Sequence, residues 1–272
     1  MTAIVARLAE AKTHLAAYGG VVFPLALIIE SPIVMLLSAS TALSKDWPSY
    51  RKLWKFMMSA SAALTALHLL VALTPLYSVI VRGLLGVPEQ IVEPARTGLI
   101  IMLPWTWSIA YRRFHQGVLI RFGHSRHISI GTAIRLAADI IVLLGGYFIG
   151  NIPGIVVACS AVIAGVVSEA IYIGIVVRPV LQQELRPAPL IPEALTTRAF
   201  AAFYLPLVMT SLLSFLSSPI SSAALSRMPL PIESLAAWPA VSGLIFVLRS
   251  PGIAYNEVVV ALLEKAGSYQ AL

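Results

Sequence analysis

The sequence predicts an all-α polytopic membrane protein, and three observations carry that prediction. Of 272 residues, 58% are hydrophobic and only 11% charged, with a mean hydropathy of +0.88, whereas soluble domains carry about 25% charged residues. The apolar residues fall in continuous runs, and roughly 20 such residues in a helix cross about 30 Å of hydrocarbon. The runs lack the period-two alternation of a barrel strand, and in lipid only helices and closed barrels satisfy their own backbone groups.

Seven spans are expected, at about residues 20–44, 53–81, 97–111, 128–149, 152–177, 199–225 and 235–263. The first holds Glu30 beside Pro32. The third is short and interrupted by Pro104, and it is expected to continue into an amphipathic stretch at the membrane surface. There Arg112, Arg113 and Arg121 would face water, and Phe114, Val118, Leu119 and Phe122 would face lipid or protein. The segment from Gln182 to Thr197, with Pro187, Pro189 and Pro192, reads as a linker.

The loops divide the basic residues unevenly. One alternate set holds Lys45, Arg51, Lys52, Lys55, Arg112, Arg113, Arg121, Arg126, Arg178, Arg186, Arg198 and Lys265; the other holds Arg7, Lys12, Arg82, Arg96 and Arg227. Lysine and arginine mark the cytoplasmic side. A multi-pass protein of the plasma or inner membrane follows, with its N-terminus outside and its C-terminus in the cytoplasm. The net charge of +7 is therefore a topology signal, and no nucleic-acid partner is expected; the partner is the lipid bilayer. No signal peptide is expected, because Arg7, Glu10, Lys12 and His14 interrupt the place of its apolar region. The lone Cys159 lies inside an apolar run, which excludes a disulfide framework.

An internal repeat organises the chain. Ala6-Arg7 and Leu15-Ala16-Ala17-Tyr18 recur, with the same spacing, as Ser226-Arg227 and Leu235-Ala236-Ala237-Trp238, 220 residues later. At an offset of 219, Ser31-Pro32, Ala42-Leu43 and Ser49-Tyr50 align with Ser250-Pro251, Ala261-Leu262 and Ser268-Tyr269. Each copy lacks elements that the other has, so the chain reads as a window on a longer two-lobe protein. Residues 1–183 would form most of the first lobe, 184–197 a cytoplasmic linker and 198–272 the start of the second.

Several motifs resemble the multidrug and toxic compound extrusion (MATE) and related flippase superfamily, and within it the progressive ankylosis branch. They are Glu30-Ser31-Pro32, Tyr111-Arg112-Arg113-Phe114-His115-Gln116-Gly117, Ile134-Arg135-Leu136, Gly165-Val166-Val167-Ser168-Glu169 and Phe203-Tyr204-Leu205-Pro206-Leu207. The resemblance implies that the spans are helices 2–8 of a twelve-helix, two-lobe fold. It also implies a secondary transporter that moves a small-molecule substrate by alternating access. The competing reading is a truncated or non-transporting scaffold, or half of an assembly completed by a complementary membrane chain.

Ionisable groups inside a membrane each cost about 2.5–3.5 kcal/mol on insertion scales, so each needs a partner or a watery cavity. Glu30 is the sharpest case, as a site for a proton, a sodium ion or a cationic substrate, or as a structural carboxylate. The repeat puts Arg249 at the equivalent position, and the two are expected to form a gate pair or the poles of one site. Arg135 and Asp139, four residues apart on one helix, are expected to meet Glu169 of the next, as a structural ion cluster or as a site for ion or substrate coupling. His68 reads as a core histidine or a proton shuttle, and Glu257 as an interfacial residue. There is no G-x-S-x-G, H-E-x-x-H or P-loop, so no enzyme is expected. No cofactor is expected either beyond a coupling H+ or Na+.

Overall fold

The computed structural model describes residues 1–262. Lys265 and Ser268-Tyr269 lie outside the described residues, as does the side chain of Glu257. The described chain is all helical, without a strand among the described residues. A helical turn, Thr2–Val5, precedes α1 (Ala11–Leu43), α2 (Trp47–Leu73), the shorter α3 (Leu76–Leu85), α4 (Val92–Ile101), α5 (Pro104–Arg121), α6 (Arg126–Ile149), α7 (Gly154–Leu185), α8 (Thr197–Leu225) and α9 (Pro231–Leu262). Six of these, α1, α2 and α6–α9, are long and apolar enough to cross a membrane.

Helix α1 is not uniform, and its irregularities set up its partner. A π-helical turn occupies Tyr18–Val22, and the helix is interrupted at Met35. Pro32 has no N–H to offer the carbonyl of Ile28, and the Ser31 hydroxyl donates to that oxygen instead at 2.8 Å. At the interruption the Met35 N–H turns to the Ile33 carbonyl. The carbonyls of Ser31 and Pro32 accept from α8, from the Ser211 hydroxyl at 2.7 Å and the Tyr204 hydroxyl at 2.6 Å. Two backbone groups that lipid could not satisfy thereby become the docking points of another helix.

The expected second span is divided. Asp46 caps α2 by accepting from the Ser49 N–H at 3.0 Å. The helix ends at Leu73, Thr74 is extended, and Pro75 opens the turn into α3.

The third span differs more. Helices α4 and α5 meet at Met102 and Leu103, and together they traverse the bundle. At one end Arg96 donates to the carbonyls of Ala72 and Leu73 at 3.0 and 3.3 Å; at the other Arg121 donates to those of Thr41 and Ala42 at 2.9 and 3.2 Å. The stretch from Arg112 is thus not a surface helix with its arginines on water. Arg112 is 8% exposed, and Phe114, Val118 and Leu119 are fully buried. Gly117 allows this, because a Cβ there would lie 2.4 Å from the Leu37 carbonyl oxygen. The face of α5 that carries Arg112 and Gln116 meets protein rather than lipid, and so it accommodates polar groups.

Two large apolar cores form among the described residues, beside a small cluster of Leu8, Leu143, Val157 and Ala161. One gathers Leu15, Val22, Leu25, Leu99, Trp105, Ile109, Ile155, Val166 and Leu235; the other gathers Ile33, Leu36, Leu53, Met57, Phe114, Leu119, Ile173 and Tyr204. The loops sort to opposite ends. At the basic end Lys52 donates to the Leu195 carbonyl at 2.9 Å, the Ile191 N–H donates to Asp46 at 3.2 Å, and Arg186 lies over the Trp47 ring. Residues 186–196 there are not helical. At the other end Arg82 pairs with Glu89, and Arg227 reaches the carbonyls of Leu84 and Leu85.

Helices α1 and α9 pack at that second end, where Lys12 pairs with Glu233 at 3.4 Å. A Cβ on Gly19 would lie 2.2 Å from Cγ of Pro239, and one on Gly20 would lie 2.8 Å from a Leu235 methyl. Gly19 and Pro239 are 220 residues apart, the offset of the sequence repeat. The two helices run parallel and touch at equivalent positions.

Candidate functional site

Between the two apolar cores lies a polar layer. It falls where Ala26 gives way to Ile33 on α1, Ile109 to Ala110 on α5 and Val166 to Ile173 on α7. Glu169 stands at the middle of α7, and Glu30, Arg135 and Asp139 stand near the middle of theirs, which is the depth at which charge costs most.

Glu169 is fully buried and heavily bonded. The Arg112 guanidinium donates from Nη1 to both carboxylate oxygens at 3.0 Å, Gln116 donates to Oε1 at 3.0 Å, and Nη1 of Arg135 lies 4.0 Å from Oε2. Arg112 and Gln116 are four residues apart and present one face of α5. Helices α6 and α7 bring Arg135 to Glu169 through glycine. A Cβ on Gly131 would sit 3.3 Å from Cγ of Glu169, and one on Gly165 would sit 1.9 Å from Oδ1 of Asp139.

Asp139 therefore rests on a bare stretch of α7, one turn from Glu169, and its Oδ1 has no hydrogen-bond partner. Glu30, 3% exposed, also has an unpartnered oxygen, Oε2. The Trp105 indole faces that carboxyl without closing a hydrogen bond, and the neighbouring charges are Arg113, Arg112 and Arg135. Thr106 Oγ1, Arg112 Nε and Arg113 Nε are buried and unpartnered too. Tyr18, on the π-helical turn and buried, lies near Arg135, Asp139 and Glu30.

Of the residues singled out in the sequence, Glu30, Arg135, Asp139 and Glu169 thus come together. Arg249 does not join them. It lies exposed on α9 while Glu30 is buried, so the gate pair is not formed in this structure. Sequence reasoning missed Arg112, Arg113 and Gln116, which it assigned to the membrane surface, and also Trp105, Thr106 and Tyr18. The available signal was the spacing of Arg112 and Gln116 in a segment that continues a span. His68 is fully buried and bonded through Nε2 to the Leu99 carbonyl at 3.1 Å, as a core histidine would be. Two recesses, of about 520 and 320 Å³, open elsewhere on the molecule, the first beside the linker at the basic end.

The chain matches no known protein family, no curated protein and no solved structure.

Chemically, the layer contains one carboxylate neutralised by a full set of donors and two with unpartnered oxygens. Unpartnered buried polar atoms call for water, a proton or an ion. Glu30 and Asp139 are the two carboxyl groups with an unpartnered oxygen, while Glu169 pairs with the arginines.

Proposed function

We propose that this chain is the working core of a MATE-like secondary transporter that moves a small solute by alternating access, coupled to an H+ or Na+ gradient. The observation that carries the reading is the mid-membrane layer of Glu30, Asp139, Trp105, Thr106, Arg112 and Arg113, each with an unpartnered buried atom. A layer serving stability alone is expected to be fully bonded, because each unmet buried group costs about 1–3 kcal/mol. The breaks in α1 and between α4 and α5 support the same reading, since irregular helices line ion and substrate paths in transporters. The parallel contact of α1 with α9 at repeat-equivalent positions supports a two-lobe arrangement, with 1–183 in one lobe, 184–197 as linker and 198–272 opening the other. In this scheme the spans are helices 2–8 of twelve, and the basic end faces the cytoplasm.

Reconstituted into proteoliposomes, the protein is expected to drive uptake of an organic cation or anion when an H+ or Na+ gradient is imposed. Glu30→Gln should reduce that flux at least about tenfold, in line with the loss of an essential proton-transfer group. Absence of gradient-driven flux for every solute class would refute the proposal.

A second reading has its own observation. Leu244–Leu248 and Arg249 of α9 are all exposed, and an arginine facing lipid is costly. A complementary membrane chain with an acidic residue at that depth would cover this face. Cross-linking from a cysteine placed at Leu248 tests it, and a chain that yields only lipid adducts would exclude such a partner.

A further inference from the structure

A groove on the outside of the bundle, between α5 and α7, has a shape and charge unrelated to the polar layer. It has a volume of about 320 Å³, and its lining includes Trp107, Ser108, Tyr111, Gly174, Ile175 and Arg178. Its floor exists because of Gly174, where a Cβ would lie 2.8 Å from the Tyr111 hydroxyl, so the ring settles against bare backbone. Ile171 and Ile175 form an exposed apolar rim, 59% and 57% accessible. Arg178 is exposed at the basic end and makes no ion pair among the described residues.

The depth of that arginine gives the groove its meaning. Helix α7 has 32 residues, which at a rise of 1.5 Å spans roughly 48 Å. The hydrocarbon is about 30 Å thick, so a centred helix projects about 9 Å on each side. Arg178 lies seven residues before the end of α7 at Leu185, or about 10 Å in. It stands at the boundary between acyl chains and headgroups, while Trp107 and Ile171 lie deeper.

We propose that this groove binds an anionic phospholipid of the leaflet at the basic end. One acyl chain lies along Trp107, Tyr111 and the Gly174 floor, and Arg178 holds the phosphate. The charge selects the ligand: an apolar slot alone takes any chain, whereas a cation at headgroup depth favours net negative lipid.

Native mass spectrometry of the delipidated full chain, offered equal amounts of phosphatidylglycerol and phosphatidylcholine with matched chains, tests the proposal. The expected preference for phosphatidylglycerol is about fivefold, equivalent to about 1 kcal/mol for one arginine at an anionic surface. Arg178→Gln should bring the ratio close to one, Ile175→Trp should reduce retention of both lipids, and Arg198→Gln, at the same end but outside the groove, should change neither. An undiminished preference in Arg178→Gln, or an equal loss in Arg198→Gln, overturns the assignment. If Arg178→Gln does not fold, the wild-type chain still decides the matter. Phosphatidylglycerol with a doxyl group on its acyl chain should quench the fluorescence component removed by Trp107→Phe more strongly than doxyl phosphatidylcholine does, and equal quenching overturns the proposal.

Discussion

Removing the Glu169 carboxylate is expected to be the most damaging single isosteric change in the polar layer. Glu169→Gln leaves the shape intact and retains an acceptor for Gln116. It deprives the Arg112 guanidinium, which is nine-tenths buried, of the two charge-assisted bonds at 3.0 Å that it makes to the carboxylate. Breaking a buried ion pair from one side costs about 3–5 kcal/mol. The lower end applies here, because Glu30 lies near the same arginine. A loss of about 3 kcal/mol corresponds to roughly 150-fold in the folding equilibrium. The assay is equilibrium unfolding of the purified chain in mixed micelles by increasing detergent denaturant. The double variant Arg112→Met with Glu169→Leu replaces the pair by apolar volume and should return to within about 1 kcal/mol of the parent. A single variant losing less than about 1 kcal/mol, or a double variant showing the sum of both single losses, would refute the view that these groups form one neutralised unit.

Other changes follow from the packing and the caps. Gly117→Ala should destabilise by about 1–3 kcal/mol, since its Cβ meets the Leu37 carbonyl at 2.4 Å and Ser40 at 2.6 Å; Gly145→Ala, with nothing within 4 Å, should be neutral or gain up to about 1 kcal/mol in the same unfolding assay. Tyr204→Phe and Ser211→Ala each remove a hydroxyl donated to an α1 carbonyl and should cost about 0.6–1.7 kcal/mol apiece; no loss in either would mean that α8 is not held by these bonds. Burial pushes the Asp46 carboxyl up, but hydrogen bonds from Ser49 and from the Ile191 N–H outweigh it and hold the group below the usual carboxylate range. Its contribution is therefore present above about pH 4, the unfolded value, and is lost as pH falls through the lower folded value. Asp46→Ala should cost about 1 kcal/mol near neutrality, whereas Asp46→Asn should keep the cap and flatten the acid limb of a stability–pH curve. An unchanged acid limb in Asp46→Asn would discount the capping carboxylate.

The membrane character was legible wherever a helix faces lipid. The run from Ile128 to Ile149 needed nothing beyond hydropathy, and the start of α2 was written in Asp46-Trp47-Pro48, a capping acid followed by a proline suited to a first turn. Legibility failed where helices face each other. The α5 segment with Arg112, His115 and Gln116 looks amphipathic if water is assumed on one side, but its polar side chains are met by Glu169, Tyr50 and the Tyr111 carbonyl. Asp139 and Arg135 were identifiable as a helical pair. Their approach to Glu169 was expected too, but not how closely the helices pack, which depends on the missing side chains of Gly131 and Gly165 on opposite helices. Pro32 marks α1 as irregular before the break at Met35, but what that irregularity serves becomes intelligible only when Ser211 and Tyr204 are seen to donate to the carbonyls of Ser31 and Pro32.

The contact of Gly19 with Pro239 constrains how such a chain arises. If the two copies descend from a duplicated segment, residues that touch their own counterparts began as identical neighbours across a two-fold axis. Two prolines there would collide at the observed separation, and two glycines would leave a gap between the helices. Divergence at this pair was then a condition of close assembly, with the smallest residue on one strand of the ancestry and a rigid ring on the other. A Gly19→Pro or Pro239→Gly change makes the pair identical and, by the same geometry, forfeits the close fit that the asymmetry makes possible.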